Sequence, residues 1–170
     1  TLGKTDIANH ALRALADAHV TEVHLLGRRG PVQVAFSPGE LKEIAELPDV
    51  DVVVDPKDLV LDPTSAAQLE TADKTLKQNI ELMREFSART PTKPKRVYLR
   101  LHTSPIAVLG TERVEGVQVG RNTLVEANGD VKAQDTGARE TIAAGLVFRA
   151  VGYRGLPIVG CPFDENAYAL

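Results

Sequence analysis

Tryptophan is absent from the 170 residues of this chain, and cysteine occurs once, at Cys161. A lone cysteine excludes an internal disulfide, so noncovalent packing has to hold the fold, as suits a reducing cytoplasm. No apolar run approaches the roughly 20 residues that a membrane span needs, and no membrane contact is expected. Positive charge is not in excess, the formal net charge being −3. Nucleic-acid binders normally carry a basic surplus, so that partner class is not expected either. His10 and His102 lack carboxylate or thiol neighbours at ligand spacing, which leaves no metal site in view. Ser37 and Ser104 have no adjacent histidine, so a hydrolase triad is unsupported. Finally, there is no G-x-G-x-x-G, the turn with which a dinucleotide-binding unit begins.

What is present suffices for a packed domain. Hydrophobic residues make up 43% and charged residues 25%, a balance that supports a core rather than disorder. Ile7, Ala11, Leu12 and Leu15 recur at helical spacing behind Thr5, which predicts a helix over residues 5–15 capped by Thr5. Residues 22–27 read as a strand that is nearly apolar on both faces, as in a parallel sheet covered by helices. Ser37, Pro38 and Glu40 spell a helix start, with Ser37 at the cap and Glu40 three residues on. Residues 50–55 give a second strand. Leu69, Ala72, Leu76, Ile80, Met83 and Phe86 then predict one long amphipathic helix opening at Thr64 or Ser65.

Beyond the breaker at Thr90-Pro91-Thr92-Lys93-Pro94 the pattern changes to short strands: 96–101, 104–109, 114–119 and 122–126, with a turn at Asn128-Gly129-Asp130. Residues 145–152 read as a buried strand. The order predicts an α/β fold, a three-layer Rossmann-like parallel sheet with an antiparallel β-meander inserted before its last strand. Because the first element reads as a helix, the first strand and glycine turn are expected upstream of Thr1. The expected division is an α/β part over 1–95, the meander over 96–144, a return strand over 145–155 and a linker over 156–170.

The chemistry-bearing pattern is Arg28-Arg29, directly behind Leu25-Leu26-Gly27. The carboxyl end of the second strand in a dinucleotide fold faces the adenosine ribose, where arginine binds a 2′-phosphate and selects NADP. Two adjacent guanidinium forks could clamp one phosphate from two sides. The same pair also reads as a solvated loop, and spacing alone does not decide between the two. Glu40 stands near the same place, but its capping role accounts for it without a ligand. Lys77, Arg84, Arg89, Lys93, Lys95 and Arg96 form either a solvated face or a basic surface for an acidic partner. No residue has the surroundings of a catalytic group.

Several segments, in order, resemble one family. Thr5-Asp6-Ile7-Ala8-Asn9-His10-Ala11-Leu12, then Gly27-Arg28-Arg29-Gly30-Pro31 with Gln33, Ala35, Phe36, Glu40 and Leu41, are similar to segments of the adrenodoxin-reductase-type NADPH–ferredoxin reductases of actinobacteria. So are Lys77-Gln78-Asn79-Ile80, Thr103-Ser104-Pro105, Gly120-Arg121-Asn122, Asp135-Thr136-Gly137 and Val151-Gly152-Tyr153-Arg154-Gly155. The resemblance implies an NADP-binding portion of a cytoplasmic flavoprotein oxidoreductase. In that family electrons pass from NADPH through FAD to ferredoxin. It implies that Arg28, Arg29 and Glu40 contact NADP, and that FAD sits in a domain outside this chain. The piece alone is then expected to be inactive, because it holds no redox centre. Two other readings remain: the electron-input subunit of a glutamate-synthase-type flavoprotein, or a non-catalytic protein-binding module of this fold.

Overall fold

The computed structural model describes residues 2–152 and 155–164. Its centre is a parallel three-stranded sheet made of β1 (Glu22–Leu26), β2 (Val50–Val54) and β3 (Lys95–Arg100), in the order β1-β3-β2. An antiparallel sheet follows, made of β4 (Thr103–Leu109), β5 (Gly116–Ala127) and β6 (Asp130–Ala143) in sequence order. The fold is therefore α/β with a separate antiparallel meander. Parallel strands need crossovers, and here α2 (Pro38–Ala45), α3 (Pro63–Thr71) and α4 (Lys74–Ala88) supply them.

The core lies between β2, β3 and α2, α4. Met83 is fully buried, and Leu41, Ile80, Phe86, Val52, Val54 and Leu99 close around it. Burying each large side chain stabilises the fold by about 1.5–3 kcal/mol. The other face of β1 is open, with Val23 and Leu25 each 44% exposed. Among the described residues no helix is long and apolar enough to cross a membrane.

Four expectations need correction. The first helix is α1, Asn9–Ala16, and its cap is Ala8 with no side-chain bond. Thr5 instead closes a short 3-10 turn, its hydroxyl donating to the Leu2 carbonyl at 2.7 Å. The long helix is two, because Asp73 caps α4 by accepting from the Leu76 amide at 2.8 Å. A carboxylate that takes the orphan amides of a new first turn restarts the helix on a different axis. The strands expected over 114–119 and 122–126 are one strand, β5, carried through a register break between Gly120 and Asn122. The return strand expected over 145–155 forms no ladder at 145–152, and Leu146 and Phe148 are 65% and 82% exposed. A strand exists only by pairing, and this segment pairs with none of the six strands. Tyr153, Arg154 and residues 165–170, which fall within the expected return strand and linker, lie outside the described residues.

The break in β5 changes which side of the strand faces inward. Before it, Val117 and Val119 are buried, while after it Asn122 is buried and Arg121 and Thr123 are exposed. Strand side chains alternate with period two, so one extra residue moves the inward set from odd to even positions. Opposite the break, Gly137 in β6 takes the left-handed φ of +83° that such an irregularity needs. The β5–β6 connection is Asn128-Gly129, with φ of 57° and 80°, the pair of positive angles that a two-residue hairpin turn requires.

Candidate functional site

β1 delivers Arg28 and Arg29 at its carboxyl end, as its sequence predicts. Gly27 still pairs as a strand residue, donating to the Arg100 carbonyl at 2.9 Å. The chain then leaves the parallel sheet and is caught by the meander. The Gly27 carbonyl accepts from the Thr103 amide at 2.9 Å, the Arg28 carbonyl from Asn122 Nδ2 at 2.8 Å, and the Arg29 carbonyl from the His102 amide at 3.0 Å. Both arginine side chains thus spring from a fixed backbone, Arg28 exposed and Arg29 42% exposed.

Gly30 has to be glycine because space is short. A Cβ there would stand 3.1 Å and 3.2 Å from His102 ring atoms and 3.2 Å from Leu124. His102 occupies that space in a left-handed turn, φ 52°, between β3 and β4. Burial, and then the nearby Arg121 charge, hold its imidazole below the usual pKa, so it is neutral at physiological pH.

A polar chain continues from the loop. The Gly30 amide donates to Gln33 Oε1 at 3.1 Å, and Gln33 Nε2 donates to Ser65 Oγ and Gln68 Oε1, each at 3.2 Å. Gln68 Nε2 reaches the Gly129 carbonyl and Asp130 Oδ1, each at 3.4 Å. Asp130 Oδ2 stands 3.9 Å from Arg29, an ion pair that closes the circuit back to the arginines. The Val131 amide first, then Gln68 and the Arg29 charge, hold the Asp130 carboxyl below its ordinary pKa. Arg28 has no ion pair among the described residues. The arrangement leaves one guanidinium free and one weakly engaged, which suits an incoming dianion better than two committed forks would.

Glu40 sits at the start of α2 and is exposed. It makes the full capping box: its Oε2 accepts from the Ser37 amide at 2.6 Å, and its own amide donates to Ser37 Oγ at 3.3 Å. The Ser37 amide, and then its hydroxyl, lower the Glu40 pKa. The loop between the arginines and α2 is tied down at its far end by Asn79, which is 2% exposed and donates Nδ2 to the Phe36 carbonyl at 2.7 Å. No hydrogen bond or ion pair joins Glu40 to either arginine, so the ligand-free structure gives this carboxylate a capping role.

The remaining candidates are structural. His24 stacks on Tyr98 at 4.7 Å between ring centres, and its Nε2 lies 3.4 Å from Glu22. Lys77 donates to the Glu70 carbonyl at 3.0 Å, and Arg89 pairs with Glu85 on the same helix, so part of the basic face is already engaged. Cys161 is exposed. Among the described residues no group of His, Cys, Asp or Glu could hold a metal ion. Sequence reasoning missed Asn122, Gln33, Gln68 and Asp130 as parts of the site. The signal available was the Gly120-Arg121-Asn122 and Gln33 positions of the resemblance, which carried no assigned role.

No family model matches the chain. Among curated proteins it is 45% identical over 174 residues to NADPH-ferredoxin reductase FprA of Mycobacterium leprae, covering 99% of this chain and 37% of that protein. It is 31% identical to the mitochondrial NADPH:adrenodoxin oxidoreductase of Arabidopsis thaliana, covering 97% of this chain and 36% of that protein. Among solved structures, FprA of Mycobacterium tuberculosis in complex with NADPH superposes with a TM-score of 0.85 at 46% identity, covering 97% of this chain and 36% of that one. The chain thus spans about a third of the length of the relatives it matches.

Proposed function

Taking a chain homologous along nearly its whole length to a segment of the NADPH–ferredoxin reductases, we propose that it is the NADP-binding portion of such a reductase, with Arg28 and Arg29 seating the 2′-phosphate. One observation carries this reading. The carboxyl end of β1 presents two adjacent guanidinium groups on a loop whose carbonyls are all bonded, so the forks are aimed before any ligand arrives. Preorganised donors lose little freedom on binding, and charge-assisted bonds to a phosphate are the strong ones. Gly30 lets the loop lie flat against His102 and Leu124, which keeps both arginines at the rim of the sheet.

Glu40 adds a carboxylate at the next helix start. With its own cap satisfied by Ser37, it stays ionised and offers an acceptor toward ribose hydroxyls. The residues of this chain bind and orient the dinucleotide, and none of them takes part in a covalent step. FAD, held by the part of the protein outside this chain, would supply the conversion of hydride into single electrons for ferredoxin. The homology to proteins named NADPH–ferredoxin and NADPH:adrenodoxin reductases supports that parent activity.

The test is reduction of a ferredoxin by the full-length protein with NADPH and with NADH. A strong preference for NADPH is expected, and Arg28→Ala with Arg29→Ala should bring the two KM values together while leaving kcat with NADH unchanged. Equal KM values in the unaltered protein would refute the assignment.

A further inference from the structure

We propose that Asn122 is a positioning residue that sets the selectivity of the phosphate seat through the backbone between Arg28 and Arg29. The inference rests on the reading of Arg28 and Arg29 as that seat. Three consecutive carbonyls, of Gly27, Arg28 and Arg29, accept hydrogen bonds from the meander. Two of the donors are backbone amides, of Thr103 and His102, and any residue would supply them. The middle bond alone comes from a side chain, Asn122 Nδ2, 94 residues away in sequence.

That bond holds the peptide plane joining the two arginines. Rotating the plane would swing both Cα–Cβ directions and separate the two forks. The donor is itself fixed. Asn122 is 7% exposed, its amide N–H donates to the His102 carbonyl at 2.7 Å, and Nδ2 also donates to Ser104 Oγ at 2.7 Å. An amide nitrogen has two hydrogens, and both are committed here, one to the loop and one to the hydroxyl that orients it. Aspartate in the same place would put an acceptor against the Arg28 carbonyl and reverse the interaction.

The experiment measures binding of 2′,5′-ADP and of 5′-ADP by calorimetry to the full-length protein and to N122D, N122A and S104A, with melting temperatures in parallel. The ratio of the two affinities is the readout, because general loosening lowers both together. About a tenfold fall in the ratio is expected for Asn122→Asp and Asn122→Ala, as one lost buried bond and a displaced fork imply. Ser104→Ala removes no contact with the loop and should give a smaller fall in the same direction. It also keeps the question open to test should the Asn122 variants not fold. An unaltered protein without preference for 2′,5′-ADP would remove the seat itself. A preference that survives unchanged in N122D or N122A, or a loss shared equally by both probes, would overturn the role of Asn122 while leaving the seat intact.

Discussion

The parallel-sheet body and the antiparallel meander are held together by different means. In the body Met83, Phe86, Ile80, Leu41, Val54 and Leu99 form a continuous apolar core under two helices. In the meander β6 runs for 14 residues with only Val131 and Ile142 buried, and its rigidity comes from the ladder and from ion pairs such as Arg139 with Asp135. The body provides the stability, while the meander reaches over and fixes the loop on which Arg28 and Arg29 stand. Stability and site geometry are therefore separable, and variants in each region should separate them.

The largest effect is expected from Met83→Ala, which opens a cavity at a fully buried position and should cost about 2–5 kcal/mol in urea unfolding. The affinity ratio for 2′,5′-ADP over 5′-ADP should not change in the folded fraction. A shifted ratio would mean that core and site are coupled. Next comes Arg121→Ala. Arg121 stands 2.5 Å from Asp58, a 3% exposed carboxylate that also accepts from the Leu101 amide at 3.0 Å. Leaving that buried charge half-satisfied should cost about 1–3 kcal/mol, read by chemical denaturation, with much of the loss recovered in the double variant R121A/D58N.

Smaller again is Asp73→Ala, which removes the cap that starts α4 and should cost about 1 kcal/mol. A null result would mean that tertiary packing alone positions the break between the helices. The smallest effect belongs to the exposed end of the meander. Arg139 first, then the Gly137 amide, hold the Asp135 carboxyl at about 2 against an ordinary 3.8. Because the folded value is depressed, its contribution is present above the ordinary value and is lost as pH falls through about 2. Carboxyl titration by NMR should show this, and Arg139→Ala should return Asp135 toward its ordinary range.

Much of the fold could be read from local signals, and the exceptions share a cause. β1, α2 with its Ser37 cap, and the Asn128-Gly129 turn are written in contiguous residues, and the structure has them all. The break between α3 and α4 was also written locally, in Asp73, but the apolar stripe from Leu69 to Phe86 runs through it and hides it. The segment 145–152 has a strand's composition without a strand's neighbour, and composition cannot report pairing. At the site, Arg28-Arg29 behind a strand was visible because its spacing carries the chemistry. Asn122 was not, because its partner is the Arg28 carbonyl, and a backbone atom leaves no trace in sequence.

The register break in β5 has an architectural consequence. It turns Asn122 inward, toward the loop that carries the arginines, where an unbroken ladder would have pointed that position at solvent. The reach of the hairpin onto the loop thus depends on chain length as much as on side-chain identity. Removing one residue beside Arg121 would leave the hairpin its pairing and rotate its grip away. In proteins built on this plan, single-residue insertions and deletions in that strand offer a route to retuned cofactor choice that point substitution at the arginines does not provide.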